Sequence, residues 1–575
     1  MAEKTIVIWG AGRIGRGFVT DLFHAASYRI VLVDESPALI AQLCKAGRYT
    51  VVRAESAERR QDVVIEGYTA LSTAQTDEIA AAVAATDILA VAVYPQVFAQ
   101  VAQQLAPGIA YRHAKRPNVP LDILLCTNLS HAGPQFRALL RDALPPEARE
   151  HLESHVGIVE TLVIRIAAEP PAELHHREPL LVWTNGYPEL PVDHHAFKGD
   201  IPQVCGFRLV DDMRAEEMRK LYTYNMFQAA LAYLGARRGY NLSVECMADP
   251  EVRADAEGAL DEVSRALQAE YGFAAEEMAC WIDNVVTQTN NPVLGDTVKR
   301  LGADPRRKLK REDRLVGPAL LARKHDIEPK RLVRAIAAGL RFDDLDAPGA
   351  VQVQQRIAAL GLPAAVRELC GLTEAEQDLV ETIVRAYHRL PMEEKWANAA
   401  QQAYELGSKY EKIYHGCGQC TLAAVLETLG QFSEPVFRAA TGLSGGIGLA
   451  GDATCSALTG AVLAFGMIYP RRREQFNGDR ENKYRTFAMV QRLRECYLQR
   501  YGTISCHGIH RHKIGRAFDL RDPAEREAFE AAGAHKDKCT DVVAQAAKWA
   551  VEIIGDELIE DALSAADARG ETGAD

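Results

Sequence analysis

The sequence lacks an excess of positive charge, and it lacks long apolar runs. Its 66 lysines and arginines are outnumbered by 78 aspartates and glutamates, which gives a formal net charge of -12. Proteins that bind nucleic acid carry a basic surface, so we expect no nucleic-acid partner, although a local basic pocket for an acidic substrate stays open. The stretch CSALTGAVLAFGMIY is too short to span a bilayer, so we expect no membrane partner.

A secretory leader is also missing from the start of the chain, which reads MAEKTIVIWGAG. Exported chains begin with a charged region, an apolar region and a cleavage site. We therefore expect a cytoplasmic protein whose 12 cysteines are reduced thiols rather than structural disulfides. Half of these cysteines crowd into residues 417–539, which indicates a separate chemistry in the C-terminal part.

The order of apolar segments predicts three domains and a tail. Up to about residue 130, short β-rich runs such as TIVIWGAG, RIVLVDE and TDILAVAVYP alternate with helical segments, which is typical of a parallel sheet covered on both faces. We predict an α/β Rossmann-type dinucleotide-binding domain over 1–195, an all-α substrate and catalytic domain over 196–392, and an all-α cysteine-rich domain over 393–560. The polar segment LPMEEKWANAAQQ marks the second boundary, and 561–575 is predicted to be a disordered tail.

A glycine-rich turn follows the first predicted strand. IVIWGAGRIGRGF places Gly10, Gly12 and Gly15 in the spacing G-x-G-x-x-G, where a helix begins. The first glycine allows a tight turn, the second lets the backbone approach a pyrophosphate, and the third lets the helix pack on the strand. Asp34 ends the second strand about twenty residues further on, where a carboxylate binds ribose hydroxyls and repels a 2′-phosphate. The pattern predicts NAD as the cofactor.

The stretch KLYTYNMFQAALAYLG is a second candidate site. Its apolar spacing predicts a buried helix, yet it carries Lys220, Asn225 and Gln228. A buried ammonium is costly, and a lysine that acts near neutral pH needs its pKa lowered from about 10.4 toward 7–8. On an ideal helix the two amides point about 140° and 80° away from the lysine, so all three can border one cavity. We therefore predict that Lys220 exchanges the proton of a substrate hydroxyl.

These blocks, in this order, resemble one enzyme family. From residue 5 to about 390, GAGRIGRGF, CTN, ETLVIRI, EPLLVW, the catalytic helix and VKRLGADPRRKLKREDRLVGPALLA resemble the polyol-specific long-chain dehydrogenases, and within them the branch that acts on mannitol 1-phosphate. That family is zinc-independent and has the pattern Lys-x-x-x-x-Asn-x-x-His. The resemblance implies Lys220 as general acid/base, with Asn225 and Asn128 holding the substrate oxygen and the developing alkoxide. Gln228 replaces the family's histidine and cannot carry a proton.

The resemblance implies exchange between a sugar-alcohol phosphate and a ketose phosphate, namely mannitol 1-phosphate and fructose 6-phosphate. Basic side chains suit a sugar phosphate, and we predict that Arg300, Arg307 and Lys308 bind it as a group. A uronate reductase or an unphosphorylated polyol dehydrogenase of the same superfamily is the alternative. An alternative of another class is a protein that has lost catalysis at Gln228, senses NAD(H) and carries an electron-transfer module.

Four segments near the C-terminus, HGCGQC, TCSALTG, YGTISCHGIH and HKDKC, resemble the redox-associated family named C_GCAxxG_C_C. The matching residues are Cys420, Cys455, Cys506 and Cys539, and Cys417 forms a C-x-x-C pair with the first of them. Four thiolates suit an iron–sulfur cluster, another soft metal or a dithiol relay, whereas buried cysteines that only fill space are the alternative interpretation. A module that carries electrons would also need a redox partner protein.

Overall fold

The computed structural model describes residues 4–56, 58–127, 129, 131–478 and 480–569 of the 575. The chain divides into two compact units. The N-terminal unit is residues 1–361 with 365–373, and the C-terminal unit is residues 362–364 with 374–575. Each unit has a hydrophobic core of its own.

A six-stranded sheet lies at the centre of the N-terminal unit. The strands of this unit are β1 (Thr5–Trp9), β2 (Arg29–Asp34), β3 (Arg48–Ala54), β4 (Arg60–Glu66), β5 (Thr69–Ser72), β6 (Ile88–Val91), β7 (Leu121–Leu125), β8 (Val156–Glu160), β9 (Ala167–Ala168), β10 (Val182–Thr184), β11 (Leu190–Asp193) and β12 (Phe207–Val210). The central sheet has the order β5-β2-β1-β6-β7-β8, and every pairing in it is parallel. The carboxyl ends of all six strands therefore lie at one edge. Strands β4-β3-β10-β9 form a second sheet, and β11 pairs with β12.

Helices cover both faces of the central sheet. The helices of residues 1–210 are α1 (Thr20–Ala25), α2 (Pro37–Ala46), α3 (Thr76–Ala85), α4 (Phe98–Lys115), α5 (Ala132–Ala143), α6 (Arg149–His155) and α7 (Ala172–Arg177). Alternate side chains of β1 enter two different cores, with Val7 in one and Ile6 and Ile8 in the other. A strand buried on both faces reads as a continuous apolar run, which is why its position was predictable. The α/β Rossmann-type prediction is confirmed.

The region after β12 is mainly helical, as predicted. Its helices are α8 (Met213–Lys220), α9 (Met226–Ala236), α10 (Ser243–Ala248), α11 (Pro250–Tyr271), α12 (Ala275–Thr289), α13 (Val298–Gly302), α14 (Pro305–Lys308), α15 (Val316–Lys324), α16 (Lys330–Leu340), α17 (Pro348–Leu360) and α18 (Leu362–Cys370). Helices α8 and α9 are joined by a π-helical turn, Leu221–Asn225. The buried apolar helix expected from the sequence is therefore interrupted between Lys220 and Met226.

The C-terminal unit is built from helices. They are α19 (Gln377–Tyr414), α20 (Cys417–Thr428), α21 (Glu434–Ala439), α22 (Ser456–Ile468), α23 (Arg480–Tyr501), α24 (Cys506–Ile514), α25 (Pro523–Ala531) and α26 (Cys539–Ala568). The two longest, α19 and α26, approach closely where Gly407 faces Ala544 and Ala547, because a side chain at Gly407 would lie 3.1 Å from the Cα of Ala544. Small residues let two helix backbones come together at such a point.

The predicted boundary segment, residues 390–402, lies inside α19 instead of between domains. Leu390, Ala400 and Ala403 are buried in the core, so the apolar stripe of the helix continues through a segment whose other face is polar. The predicted tail also differs from the structure. Helix α26 runs to Ala568 because its stripe continues through buried Leu563, and residues 570–575 lie outside the described residues.

No helix among the residues that the structure describes is long and apolar enough to cross a membrane.

Candidate functional site

The glycine turn after β1 has the geometry of a dinucleotide cradle. Gly10 has a φ of +95°, and a side chain there would lie 2.5 Å from the carbonyl oxygen of Ala92. A side chain at Gly15 would lie 1.9 Å from the oxygen of Gly10, so protein atoms require both glycines. A side chain at Gly12 would meet nothing within 4 Å. The middle glycine thus borders open space, where a ligand backbone can approach.

Asp34 at the end of β2 closes the other side of this turn. Its Oδ2 accepts the Ala11 N–H at 2.8 Å, and its Oδ1 accepts the Ser36 N–H at 2.9 Å. These bonds hold the carboxylate at the edge of the sheet beside the glycine turn. The residues predicted for NAD therefore stand together and fit the group.

Lys220, at the end of α8, reaches the same edge of the sheet. Its Nζ donates to the carbonyl oxygen of Val163 at 2.5 Å, and Val163 lies just beyond the carboxyl end of β8. Burial, together with the nearby Arg314 guanidinium, lowers the pKa of Lys220 to about 8. A desolvated amine can exchange a proton near neutral pH. Asn128, which follows β7, lies outside the described residues.

The π-helical turn changes the predicted geometry of the catalytic helix. In a π-turn the backbone pairs residues five apart, so Asn225 comes round toward the side of Lys220. An ideal α-helix would have placed the two about 140° apart. Single π-turns inside α-helices are frequent at functional sites. The sequence predicted the helix and its polar residues, but no feature of the sequence indicated the π-helical turn.

Gln228, in α9, faces a carboxylate that the sequence did not reveal. Its Nε2 lies 3.5 Å from Oδ2 of Asp296, a residue that is 5% exposed and whose pKa is raised by burial. Arg300 forms an ion pair with the other oxygen of Asp296. The hydroxyl of Tyr224 nearby is buried and has no hydrogen-bond partner among the described residues. The sequence offered no pattern that singled out Asp296.

The three predicted phosphate ligands are not equivalent. Arg300 is half exposed and pairs with Asp296, which also contacts Gln228 of α9. Arg307 instead pairs with Asp304 at 3.1 Å. Lys308 is 4% exposed and donates to the carbonyl oxygen of Leu301. Burial lowers its pKa to about 7, and the arginines nearby add to the effect. That Lys308 binds phosphate stays a prediction, and its burial could not be read from a basic run of sequence.

Four cysteines of the C-terminal unit line one cavity of about 250 Å³. They are Cys417, Cys455, Cys506 and Cys539. Cys420 does not line it, since its thiol donates to the carbonyl oxygen of His415 at 3.3 Å. Four of the five predicted cysteines therefore line the cavity, and the fifth, Cys420, lies beside it, one helical turn after Cys417. The spacing alone did not show which cysteine of the C-x-x-C pair lines the cavity.

Three of the four thiols stand at the start of a helix. Cys417 and Cys506 are the first residues of α20 and α24, and Cys455 immediately precedes α22. Cys539 opens α26, but its N–H is already bonded to the carbonyl oxygen of Ala534 in the π-helical turn before it. Helix N-termini carry free N–H groups and the positive end of the helix dipole, both of which favour thiolate over thiol. Three such ends converge on this cavity, which suits it to anionic sulfur.

Burial acts in the opposite direction on the same thiols. It raises the pKa of Cys417 and Cys539 well above the usual range, and it also raises those of Cys455 and Cys506. Without a cation the thiols therefore hold their protons at neutral pH. A metal cation inside the cavity would supply the positive charge that lets the helix ends stabilise thiolates.

A left-handed turn forms one wall of the cavity. Five successive residues, Gly445 to Leu449, have positive φ, including Ile447 at +64° and Leu449 at +64°. Branched and long side chains rarely adopt this conformation, so strain is stored in the turn. The Gly445 N–H donates to the Cys417 thiol.

The family comparisons divide the chain at a later point than the two compact units do. Residues 4–206 match the mannitol dehydrogenase Rossmann domain, residues 212–405 match the mannitol dehydrogenase C-terminal domain, and residues 415–553 match the C_GCAxxG_C_C domain, described as that of a redox-active protein. The matches place a family boundary inside α19.

Individual relatives support the same assignment. The mannitol-1-phosphate 5-dehydrogenase of Bacillus licheniformis is 36% identical over 366 residues, which cover 64% of this chain and 95% of that protein. The solved structure of a D-sorbitol dehydrogenase without substrate has a TM-score of 0.59 at 16% identity, covering 67% of this chain and 92% of the other.

A further fold match is the mannitol 2-dehydrogenase of Pseudomonas fluorescens, solved as a ternary complex with NAD and D-mannitol. It has a TM-score of 0.53 at 17% identity and covers 68% of this chain and 92% of the other. The chain therefore belongs to the mannitol dehydrogenase family, as a dehydrogenase acting on a CH–OH group, with a C_GCAxxG_C_C domain behind it.

Proposed function

We propose that the N-terminal unit is an NAD-dependent, zinc-independent oxidoreductase that interconverts a sugar-alcohol phosphate and a ketose phosphate. One observation carries the proposal. The Lys220 amine, with its pKa lowered to about 8, lies at the sheet edge that also bears the glycine turn and Asp34. The relative with mannitol 1-phosphate in its name, of which this chain covers 95%, supports the choice of substrate class.

The cofactor site is assigned to the glycine turn and Asp34. The open space beside Gly12 leaves room for a pyrophosphate, and the helix that starts at Arg13 offers the N–H groups of its first turn to it. The carboxylate of Asp34, already fixed by two backbone N–H groups, faces the position of a ribose. Bound NAD would supply the acceptor or donor of the hydride.

Lys220 handles the proton of the substrate hydroxyl. In alcohol oxidation the neutral amine accepts this proton, and in ketone reduction the ammonium returns it. Desolvation lowers the pKa of the amine to about 8, so both its neutral and its protonated form are accessible near neutral pH. Asn225, brought toward the same side by the π-turn, orients the substrate oxygen with its amide, and Asn128 is assigned the same task by resemblance.

Substrate recognition is assigned to the side of α9 that carries Gln228. Its amide can hydrogen-bond a sugar hydroxyl but leaves proton transfer to Lys220. Arg300, held by Asp296 next to Gln228, is the arginine best placed to bind the phosphate. Replacing histidine by glutamine therefore affects how the sugar is held and not which group moves the proton.

NADH absorbance with fructose 6-phosphate, fructose and fructuronate separates the substrate alternatives. We expect turnover of the phosphorylated ketose, and we expect Arg300→Ala to raise its KM at least tenfold while changing the KM for fructose little. Arg306→Ala is the matched control, because Arg306 is exposed and bonds Gln352. Preference for fructuronate or fructose would favour the two other enzyme interpretations. NADH binding without any turnover would favour the sensing interpretation.

We propose a second function for the C-terminal unit, in which the cavity holds an iron–sulfur cluster or another thiophilic metal. The convergence of four thiols, three of them at helix N-termini, supports it. Among the described residues, no three of these sulfur atoms lie within 4.8 Å of one another. This spacing is wider than a single ion bound by all four sulfur atoms would need. A redox partner protein stays a prediction.

Anaerobic purification followed by a visible spectrum and metal analysis tests this function. We expect iron and sulfide, or one other metal, and we expect both to be lost in Cys455→Ser. Cys496→Ser is the matched control, since Cys496 lies in the same unit but does not line the cavity. Metal-free protein after anaerobic reconstitution would contradict the proposal.

A further inference from the structure

The mouth of the thiol cavity carries a second, chemically different set of donors. His415 follows the end of α19, Glu530 lies in α25, and His535 lies in the π-helical turn Ala534–Lys538. One donor atom from each of these three residues lies within 4.8 Å of the other two. Nδ1 of His415 is 3.8 Å from Oε1 of Glu530, and Nδ1 of His535 is within hydrogen-bond distance of the same oxygen. Three separate segments of the chain thus meet at one point.

A buried carboxylate faces this group from inside the cavity. Glu411 precedes His415 by one helical turn and is 1% exposed. Its Oε1 lies 3.6 Å from Nε2 of His535, and the carboxyl group is hydrogen-bonded to the Cys420 thiol. Its Oε2 is buried and has no hydrogen-bond partner by geometry among the described residues. A buried carboxylate oxygen without a partner is costly, so its presence indicates a missing ligand. Glu411 lines the same cavity as the thiols.

The backbone of His415 is held in an unfavourable conformation. Its φ is +59° and its ψ is 168°, a combination that is essentially restricted to glycine. In this conformation the imidazole rings of His415 and His535 lie 3.9 Å apart, centroid to centroid. Two cationic rings would repel at that distance, whereas two neutral rings could both bind one metal ion.

Neighbouring cations do not neutralise the carboxylates. Arg526 also lines the cavity, but its guanidinium donates to the carbonyl oxygens of Leu520 and Arg521. Lys538 bonds Asp537 on the outer side of the π-turn. Among the described residues the two carboxylates therefore pair with His415 and His535, and not with a lysine or an arginine.

We propose that His415, His535 and Glu530 bind a divalent transition-metal ion at the mouth of the cavity, while Glu411 faces the other ring nitrogen of His535 and orients that imidazole. Two imidazoles with one carboxylate suit Zn²⁺, Fe²⁺ or Co²⁺, and they form a harder donor set than the thiols deeper in the cavity. None of the thiols is a ligand of this site. The comparable group His194, His195 and Asp211 lies on the surface, where no buried oxygen lacking a partner faces it among the described residues.

Titration of the reduced, anaerobic full chain with Co²⁺ tests the site, because the ion reports its ligands by colour. We expect ligand-field bands from nitrogen and oxygen donors that are separate from any sulfur-to-cobalt charge-transfer band. His535→Gln and Glu530→Gln should each weaken binding in the ligand-field signal by at least about tenfold. His512→Gln is the matched control, an exposed histidine of the same unit.

His415→Gly supplies a readout that does not depend on colour. Glycine accepts the strained backbone, so this variant should melt at a higher temperature than the parent without metal while losing the rise in melting temperature that Zn²⁺ gives the parent. A charge-transfer band with no separate ligand-field bands would overturn the proposal, as would equal Co²⁺ affinity in His535→Gln and the parent. Absence of the charge-transfer band alone would count against the thiol function and not against this site.

Discussion

Lys220 and Lys308 are both buried amines, and burial lowers their pKa values to about 8 and about 7. Their surroundings separate their roles. Lys220 lies at the sheet edge beside the glycine turn, while Lys308 is enclosed under the ring of Tyr233, 6.0 Å from its centroid. A shifted pKa alone does not identify a catalytic group, because structural burial shifts it in the same direction.

The first prediction concerns proton transfer by Lys220. Lys220→Met should lower kcat by about 10²- to 10⁴-fold, the usual contribution of a general acid/base, while NADH binding measured by fluorescence stays unchanged. In the parent, kcat/KM for alcohol oxidation should rise with pH through about 8, since the neutral amine is the active form. Lys299→Met, which removes an exposed lysine paired with Asp346, is the control. If Lys220→Met kept the pH dependence of kcat/KM seen in the parent, Lys220 would not be the group that transfers the proton.

The second prediction concerns stability at Lys308. Its pKa is about 7 in the folded chain and about 10.4 when unfolded, so between these values the unfolded chain binds more protons. The free energy of unfolding of the parent should therefore rise with pH from 7 to 10 relative to Lys308→Met, by at most about 1.4 kcal/mol per pH unit. Urea unfolding at several pH values measures this. Parallel curves for the two proteins would show that the lysine is charged when folded.

At the scale of secondary structure, irregular turns mark the candidate sites. The described residues contain three π-helical turns: one opens the helix behind the glycine turn, one separates Lys220 from α9, and one precedes Cys539. The sequence predicted the elements around them, since apolar periodicity determines which faces are buried. It could not predict the turns, because an inserted residue in a helix leaves the composition and most of the period unchanged.

The third prediction concerns the left-handed wall of the thiol cavity. Gly448 has a φ of +61°, and a side chain there would meet nothing within 4 Å, so Gly448→Ala should cost about 1 kcal/mol of stability through backbone strain alone. Gly466 of α22 also has open space around it but lies in a helix, where Gly466→Ala should stabilise by about 0.5–1 kcal/mol. Urea unfolding of the two variants should thus show opposite signs. Equal signs would mean that the wall is not strained.

At the scale of the whole molecule, the sequence predicted the class of each part better than the boundary between parts. The α/β alternation and the cysteine-rich helices follow from hydrophobic pattern and composition. The boundary did not follow, because the polar segment at 390–402 covers one face of a long helix whose other face is buried. Polar composition signals exposure, and exposure is as common on a helix surface as in a linker.

The last prediction rests on the two separate cores. Each unit buries its own apolar residues, so calorimetry should show two unfolding transitions. A ligand stabilises only the state that binds it, so NADH at about 100 times its Kd should stabilise one transition by about 2.7 kcal/mol and leave the other in place. Zn²⁺ should move the second transition and not the first, and His415→Gly should abolish that effect alone. If NADH and Zn²⁺ each raised both transitions together, the units would unfold as one cooperative structure, and the assignment of one chemistry to each core would fail.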